Sequence, residues 1–170
     1  MLTLLKDILE NNDDAFARAL AVAEDDIRKS GGTWFGAGAK GCFLLLKGGT
    51  FSDPADGEHY VRAGDSLLQA ALVAAKNDTS LEAHLLHYMS GCAFASVGRY
   101  DDAKTEFAFS DYGRLGLDAW CIDWCQIVLA TATNDPETSS KHFKSVSDKD
   151  AALAADLFET WTNRKTVDRS

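Results

Sequence analysis

The chain reads as all-α, and three observations carry that expectation. Alanine and leucine dominate the apolar positions while β-branched residues are sparse, a balance that favours helix over sheet. Only Pro54 and Pro136 interrupt 170 residues, so long helices meet few obstacles. Apolar residues recur three and four apart, as at Phe16, Leu20, Ala23 and Ile27. With 46% hydrophobic content the chain can bury one substantial core. Its length fits one domain, residues 1–163, followed by a frayed tail over 164–170.

Residues 2–29 read as helix with a break at Asn11-Asn12-Asp13-Asp14, where Asn and Asp cap a second helix. That helix turns Phe16, Leu20, Ala23 and Ile27 inward, and Ser30-Gly31-Gly32 ends it. The next helix spans about Trp34–Lys47, although Gly36, Gly38 and Gly41 each weaken it by about 1 kcal/mol relative to alanine. Gly48–Gly57 is the longest clear loop, long enough to fold over a groove or form an edge. A long helix then runs from about Glu58 to Lys76, with Tyr60, Ala63, Leu67, Ala71 and Ala74 or Ala75 on its inner side. Asn77-Asp78-Thr79-Ser80 ends it, and Ser80 caps the helix that follows.

That helix closes at Val97, after which Gly98 supplies the left-handed conformation of a helix C-terminus. Asp101 and Asp102 fall in the first turn of its partner, where the helix dipole favours negative charge. Ala103 and Phe107, four apart, share one face of that partner. Gly113 and Gly116 mark a connection, and Leu117–Thr131 reads as another helix. Asn134-Asp135-Pro136-Glu137 opens its partner, with Pro136 in the first turn. A last helix over about Asp148–Asn163 puts Ala152, Leu153, Leu157 and Trp161 on one side, as a cap over an open core requires.

Gly91-x2-Phe94 and Ala103-x3-Phe107, on two helices joined by the Gly98 turn, resemble the tetratricopeptide repeat. His87 and Ser90 stand where that family prefers tryptophan and leucine. The clear repeat covers about 84–117, and a degenerate one covers about 118–151. Ser139-x3-Phe143 repeats Ala103-x3-Phe107 at an offset of 36, and Cys125 is a small counterpart of Gly91 at an offset of 34. The resemblance implies stacked antiparallel helical hairpins in a right-handed superhelix with a C-terminal capping helix. It further implies a groove lined by the first helix of each hairpin, where a partner peptide or helix lies. Leu85, Tyr88, Cys92, Ala95 and Ser96 would line it from one unit, and Ile122, Gln126 and Leu129 from the next. The Lys, Arg and Asn with which family members grip an acidic peptide C-terminus are missing here. An apolar groove suits a hydrophobic helix, a strand, or another copy of this chain. The expectation is a protein-interaction module or adaptor, capable of self-association, with no catalytic residues and no cofactor.

Charge and motifs bound the alternatives. A formal net charge of −9 argues against nucleic acid, whose phosphates demand clustered Lys and Arg. Met1-Leu2-Thr3-Leu4-Leu5 is interrupted by Lys6 and Asp7 and lacks the long apolar core of a secretion signal. The apolar run Cys42–Leu46 is too short to span a bilayer, and four cysteines form no dense framework. A cytoplasmic protein with reduced thiols and no membrane partner is expected.

Cys121 and Cys125, with His84 and His87 on the neighbouring helix pair, offer four zinc donors, but their spacing is not that of a zinc finger. Burial of the thiols and hydrogen bonding of the rings explain them without a metal. Gly36-x-Gly38-x-x-Gly41 reproduces the dinucleotide-binding spacing without a preceding strand, so helix packing is the better account. The pairs Asp13/Asp14, Asp25/Asp26 and Asp101/Asp102 are adjacent and point apart on a helix. Two further functions stay open. One is a small helical enzyme or ligand-binding protein with a site between the Gly48–Gly57 loop and Trp34/Phe35, for which a closed polar cavity holding His59 or Cys42 would speak. The other is an inhibitor or immunity-type protein whose acidic face blocks a basic target.

Overall fold

The computed structural model describes residues 13–117, 119–152 and 154–155, and all regular structure among them is helical. The chain divides into two compact units, Met1–Leu115 and Gly116–Ser170. The helix start expected before Asp13, and most of the expected capping helix and tail, lie outside the described residues. Ala151, Ala152, Ala154 and Ala155 are helical.

The first unit holds α1 (Asp13–Lys29), α2 (Trp34–Gly48), α3 (Pro54–Ala75), α4 (Leu81–Ser96), α5 (Tyr100–Phe109) and the single turn α6 (Tyr112–Leu115). Its core gathers Phe43, Leu45, Leu46, Leu68, Leu86, Met89 and Phe94, each with essentially no exposed surface. Helix α1 runs antiparallel along α2, tied by Lys47 to Asp13 at 2.6 Å and by Lys40 to Glu24 at 2.7 Å. Its buried residues are Ala15, Ala19 and Ala23, whereas Phe16, Leu20 and Ile27 are half-buried. The inner stripe is thus made of alanines, because a close helix contact selects small side chains over long ones.

The same logic governs α2 and α3, which pack antiparallel with glycine facing glycine. A Cβ on Gly41 would lie 2.8 Å from the Gly64 carbonyl oxygen, and one on Gly64 would lie 2.7 Å from the Gly41 carbonyl oxygen. Seven residues along, Gly48 meets Gly57 and Val61 in the same way. The spacing 41/48 on one helix and 57/64 on the other puts all four on one seam. This explains the glycine-rich stretch as helix packing, and it turns Gly64, Leu68, Ala71 and Ala75 inward in place of the Ala63 and Ala74 face, which is exposed. Helix α3 also begins earlier than the loop-like composition implied. Asp53 accepts the Ala55 amide at 2.9 Å as N-cap, and Pro54 occupies the first turn. The connection from α2 shrinks to Gly49–Asp53.

Helix α4 runs parallel beside α2, where a Cβ on Gly38 would meet Leu86 at 2.7 Å and Cys42 Sγ lies 3.8 Å from Ser90 Oγ. Ser80 caps α4 by accepting the Ala83 amide at 3.2 Å. On its other side α4 pairs with α5, and the Phe107 ring fills the space left by the missing side chain of Gly91. Arg99 crosses the Phe94 ring at 4.4 Å and bonds both Asp65 of α3 and Asp102 of α5, fastening the turn between α4 and α5 to α3.

The second unit holds α7 (Ala119–Ala132) and α8 (Pro136–Lys149), an antiparallel pair. Ile127, Val146 and Ala154 form its buried cluster, with Trp120 and Phe143 packed against them. Asp135 caps α8 by accepting the Thr138 amide at 3.0 Å.

The hairpins α4/α5 and α7/α8 correspond position by position at an offset of 36. Helices α4 and α7 end at Ser96 and Ala132, and α5 and α8 start at Tyr100 and Pro136. Gly98 has φ 80° and Asn134 has φ 57°. Each turn closes with the same backbone bonds: Arg99 N–H to Phe94 C=O at 2.9 Å matches Asp135 N–H to Ala130 C=O at 2.7 Å. Gly98 N–H to Ala95 C=O at 3.2 Å matches Asn134 N–H to Thr131 C=O at 3.3 Å. By this register the counterpart of Gly91 is Ile127 rather than Cys125, and Phe143 packs against the cluster that contains Ile127.

Candidate interaction surface

Five of the residues expected to line a groove, Leu85, Tyr88, Cys92, Ala95 and Ser96, lie on α4. Leu85, Cys92 and Ser96 are half-buried and fall seven and four apart, so they share a face of the helix. Tyr88 is turned away from them toward α5, 8% exposed, with its ring 5.9 Å from Phe107 and edge-on to Tyr112 at 6.1 Å. Ser96 donates to the Ala93 carbonyl at 2.7 Å and lies against Gly49. The other three lie on α7, where Ile122 and Gln126 are half-buried and Leu129 is 8% exposed. The face of α4 thus offers a leucine, a thiol and a hydroxyl, chemistry fitted to apolar contact with a few polar handles.

Larger apolar side chains stand in solvent elsewhere in the first unit. Val73 is 75%, Phe109 58% and Leu81 50% exposed. Leu81 opens α4 and Phe109 closes the antiparallel α5, so both belong to the same end of that hairpin.

The candidate chemical groups are engaged in structure. Cys42 is fully buried, and burial pushes its thiol well above the ordinary value against the opposing hydrogen bond from Ser90. A thiol held neutral in this way is a poor nucleophile. His59 borders a shallow open depression on one flank of α3, with Ala55, Glu58, Arg62 and Ala63. His84 Nδ1 lies 3.2 Å from the Phe109 carbonyl, and its Nε2 lies 3.2 Å from Arg114 Nη1. His87 instead faces Glu106, so the two rings do not converge. Cys125 is buried, and the side chain of Cys121 lies outside the described residues. Among the described residues no group of three or more His, Cys, Asp or Glu side chains is placed to hold a metal ion. None of the described helices is long and apolar enough to cross a membrane.

Two polar pairs escaped the reading of the sequence. His87 Nδ1 meets Glu106 Oε2 at 2.7 Å across α4/α5, with the side chains 10% and 13% exposed. Across α7/α8, Asp123 Oδ1 meets His142 Nδ1 at 2.9 Å. Its second oxygen accepts from Ser145 at 2.8 Å and Lys149 at 3.3 Å. Burial would raise the Asp123 pKa, but the bonds from His142, Ser145 and Lys149 outweigh it and hold the carboxyl below the ordinary value. Each pair spans 19 residues, and the two are related by the same offset of 36. That arithmetic was available in the sequence. Comparison with protein-family models, with curated proteins and with solved structures finds no significant match for this chain.

Proposed function

We propose that this protein is an interaction module built of repeated, tetratricopeptide-like helical hairpins and that it holds a partner peptide or helix against the half-buried face of α4. The observation that carries the reading is the position-by-position equivalence of α4/α5 and α7/α8 at 36 residues, down to the left-handed residue in each turn. Repeated hairpins present a repeated face, which is how helical arrays build extended binding surfaces. On α4 the half-buried Leu85, Cys92 and Ser96 keep part of their surface exposed, and these are the side chains through which a partner would be met. Tyr88, turned toward α5 and 8% exposed, is core of the hairpin rather than part of that face.

Leu85→Glu tests the reading, because it places a charge on the face without emptying the core. Proteins co-purifying with the tagged wild-type chain are identified, and the affinity of each for wild type and variant is measured. A direct partner of this surface should bind the variant at least about tenfold more weakly, a change of about 1.4 kcal/mol, while far-UV circular dichroism and thermal midpoint stay unchanged. Undiminished binding by every partner would end the assignment of the surface to α4. Sedimentation of the purified chain decides whether a second copy is such a partner.

A further inference from the structure

We infer that the two part-buried His–carboxylate pairs, set in opposite polarity at the same position of the two hairpins, specify which helices pair. In α4/α5 the histidine stands on the first helix and the acid on the second, as His87 and Glu106. In α7/α8 the order is reversed, as Asp123 and His142. The rest of the interhelix pattern discriminates only in part: the Phe107 ring needs Gly91 and would meet Ile127 in a crossed α7/α5 pair, whereas Phe143 would find Gly91 open in a crossed α4/α8 pair. Phe107 and Phe143 are equivalent, both second helices carry a small residue four earlier at Ala103 and Ser139, and the turns share one geometry.

Exchanging partners would undo both pairs at once. With α4 against α8, His87 would face His142 and Lys149; with α7 against α5, Asp123 would face Glu106. Two carboxylates forced together away from water cannot both stay ionised, and each would lack its donor. The flanking residues reinforce the choice. Phe109 packs its ring on His87 at 5.3 Å, and Ser145, its equivalent at the offset of 36, donates to Asp123. A crossed pairing sets the Phe109 ring against the Asp123 carboxylate. A chain of repeated hairpins needs such a device, since wrong pairing of like elements is a characteristic folding failure of repeat proteins.

Refolding of the full chain from urea at pH 7 tests this with three variants. His87→Glu with Glu106→His inverts the first pair, Asp123→His with His142→Asp inverts the second, and the third variant combines all four changes. Either inversion alone gives both hairpins one polarity; the combination restores opposite polarities. The fraction recovered as native monomer, read by size exclusion and far-UV circular dichroism, should fall about twofold or more for each single inversion. It should return close to the wild-type fraction for the combination. A combined variant that recovers no better than either single inversion would show that only local pairing matters and overturn the inference. Single inversions that refold like wild type would overturn it as well.

Discussion

Replacing Gly64 by alanine separates a close backbone contact from an ordinary helix position. In an exposed helix interior this change stabilises by about 1 kcal/mol. Here the new Cβ would lie 2.7 Å from the Gly41 carbonyl oxygen and 2.9 Å from the Leu45 amide nitrogen. Both atoms are backbone of α2, so no flexible side chain can give way and the helices must separate. Overpacking of this kind costs roughly 1–3 kcal/mol, and the upper end applies when backbone has to move. Setting that against the helix-propensity gain leaves a net loss of about 2 kcal/mol. For a unit of about 100 residues this lowers the melting temperature by roughly 8–16 °C. Gly113→Ala is the control, because its nearest neighbour is Asp111 Oδ1 at 3.4 Å. It should change stability by less than about 0.5 kcal/mol. Urea and thermal unfolding followed by far-UV circular dichroism measure both variants. A Gly64→Ala protein as stable as wild type, or more so, would refute the glycine seam between α2 and α3.

Three further outcomes follow from particular residues. Gly98→Ala forces a side chain onto φ 80° and should cost about 1–2 kcal/mol, whereas Asn134→Gly relieves φ 57° and should gain about 0.5 kcal/mol; equal signs in urea unfolding would contradict the shared turn. Asp123 is held below its ordinary value of 3.8, so its ionised form stabilises the hairpin above that value and the contribution is lost as pH falls through the folded-state pKa. Wild type should therefore lose stability with acid more steeply than Asp123→Asn below about pH 4, and parallel curves of urea midpoint against pH would count against the network. Cys42 is sealed and held neutral while Cys92 is half-buried, so iodoacetamide should label Cys92 far faster in the native protein. Mass spectrometry of the labelled peptides reads the order, and the reverse order would contradict the burial of α2 against α4.

Helix positions were legible wherever a cap or a turn residue signs the chain. Ser80, Gly98 and Pro136 play the expected parts, as N-cap, left-handed turn and first-turn proline. Composition misled where it ran against geometry. Pro54-Ala55-Asp56-Gly57 has the makeup of a loop, yet Asp53-Pro54 is a helix start, and Gly57 is needed where α3 touches Gly48. The single turn at Tyr112–Leu115 lay hidden in what read as a connection. On the inner faces Ala23, Ala71 and Ala75 stand as expected, whereas Phe16, Leu20, Ala63 and Leu67 give way to the smaller or neighbouring Ala15, Ala19, Gly64 and Leu68. Close helix contacts are instead made by Ala15, Ala19, Gly57 and Gly64. Of the expected groove, Tyr88 shows most clearly what a repeat pattern cannot reveal, namely which of two flanks a side chain joins. Its ring lies between Phe107 and Tyr112. The His–carboxylate pairs went unread because their meaning depends on two helices at once.

The function proposed for this protein rests on the α4 face carrying Leu85, Cys92 and Ser96 meeting a partner. Photocrosslinking tests it most directly, with a benzophenone attached to Cys92 in a chain whose Cys121 and Cys125 are replaced by alanine and, in a parallel variant that also lacks Cys92, to a cysteine replacing the exposed Lys104 on α5. A discrete crosslinked product, to another protein or to a second copy of this chain, is expected from position 92 and not from position 104. Equal crosslinking from both positions, or none from position 92 in a sample where a partner is bound, would contradict it.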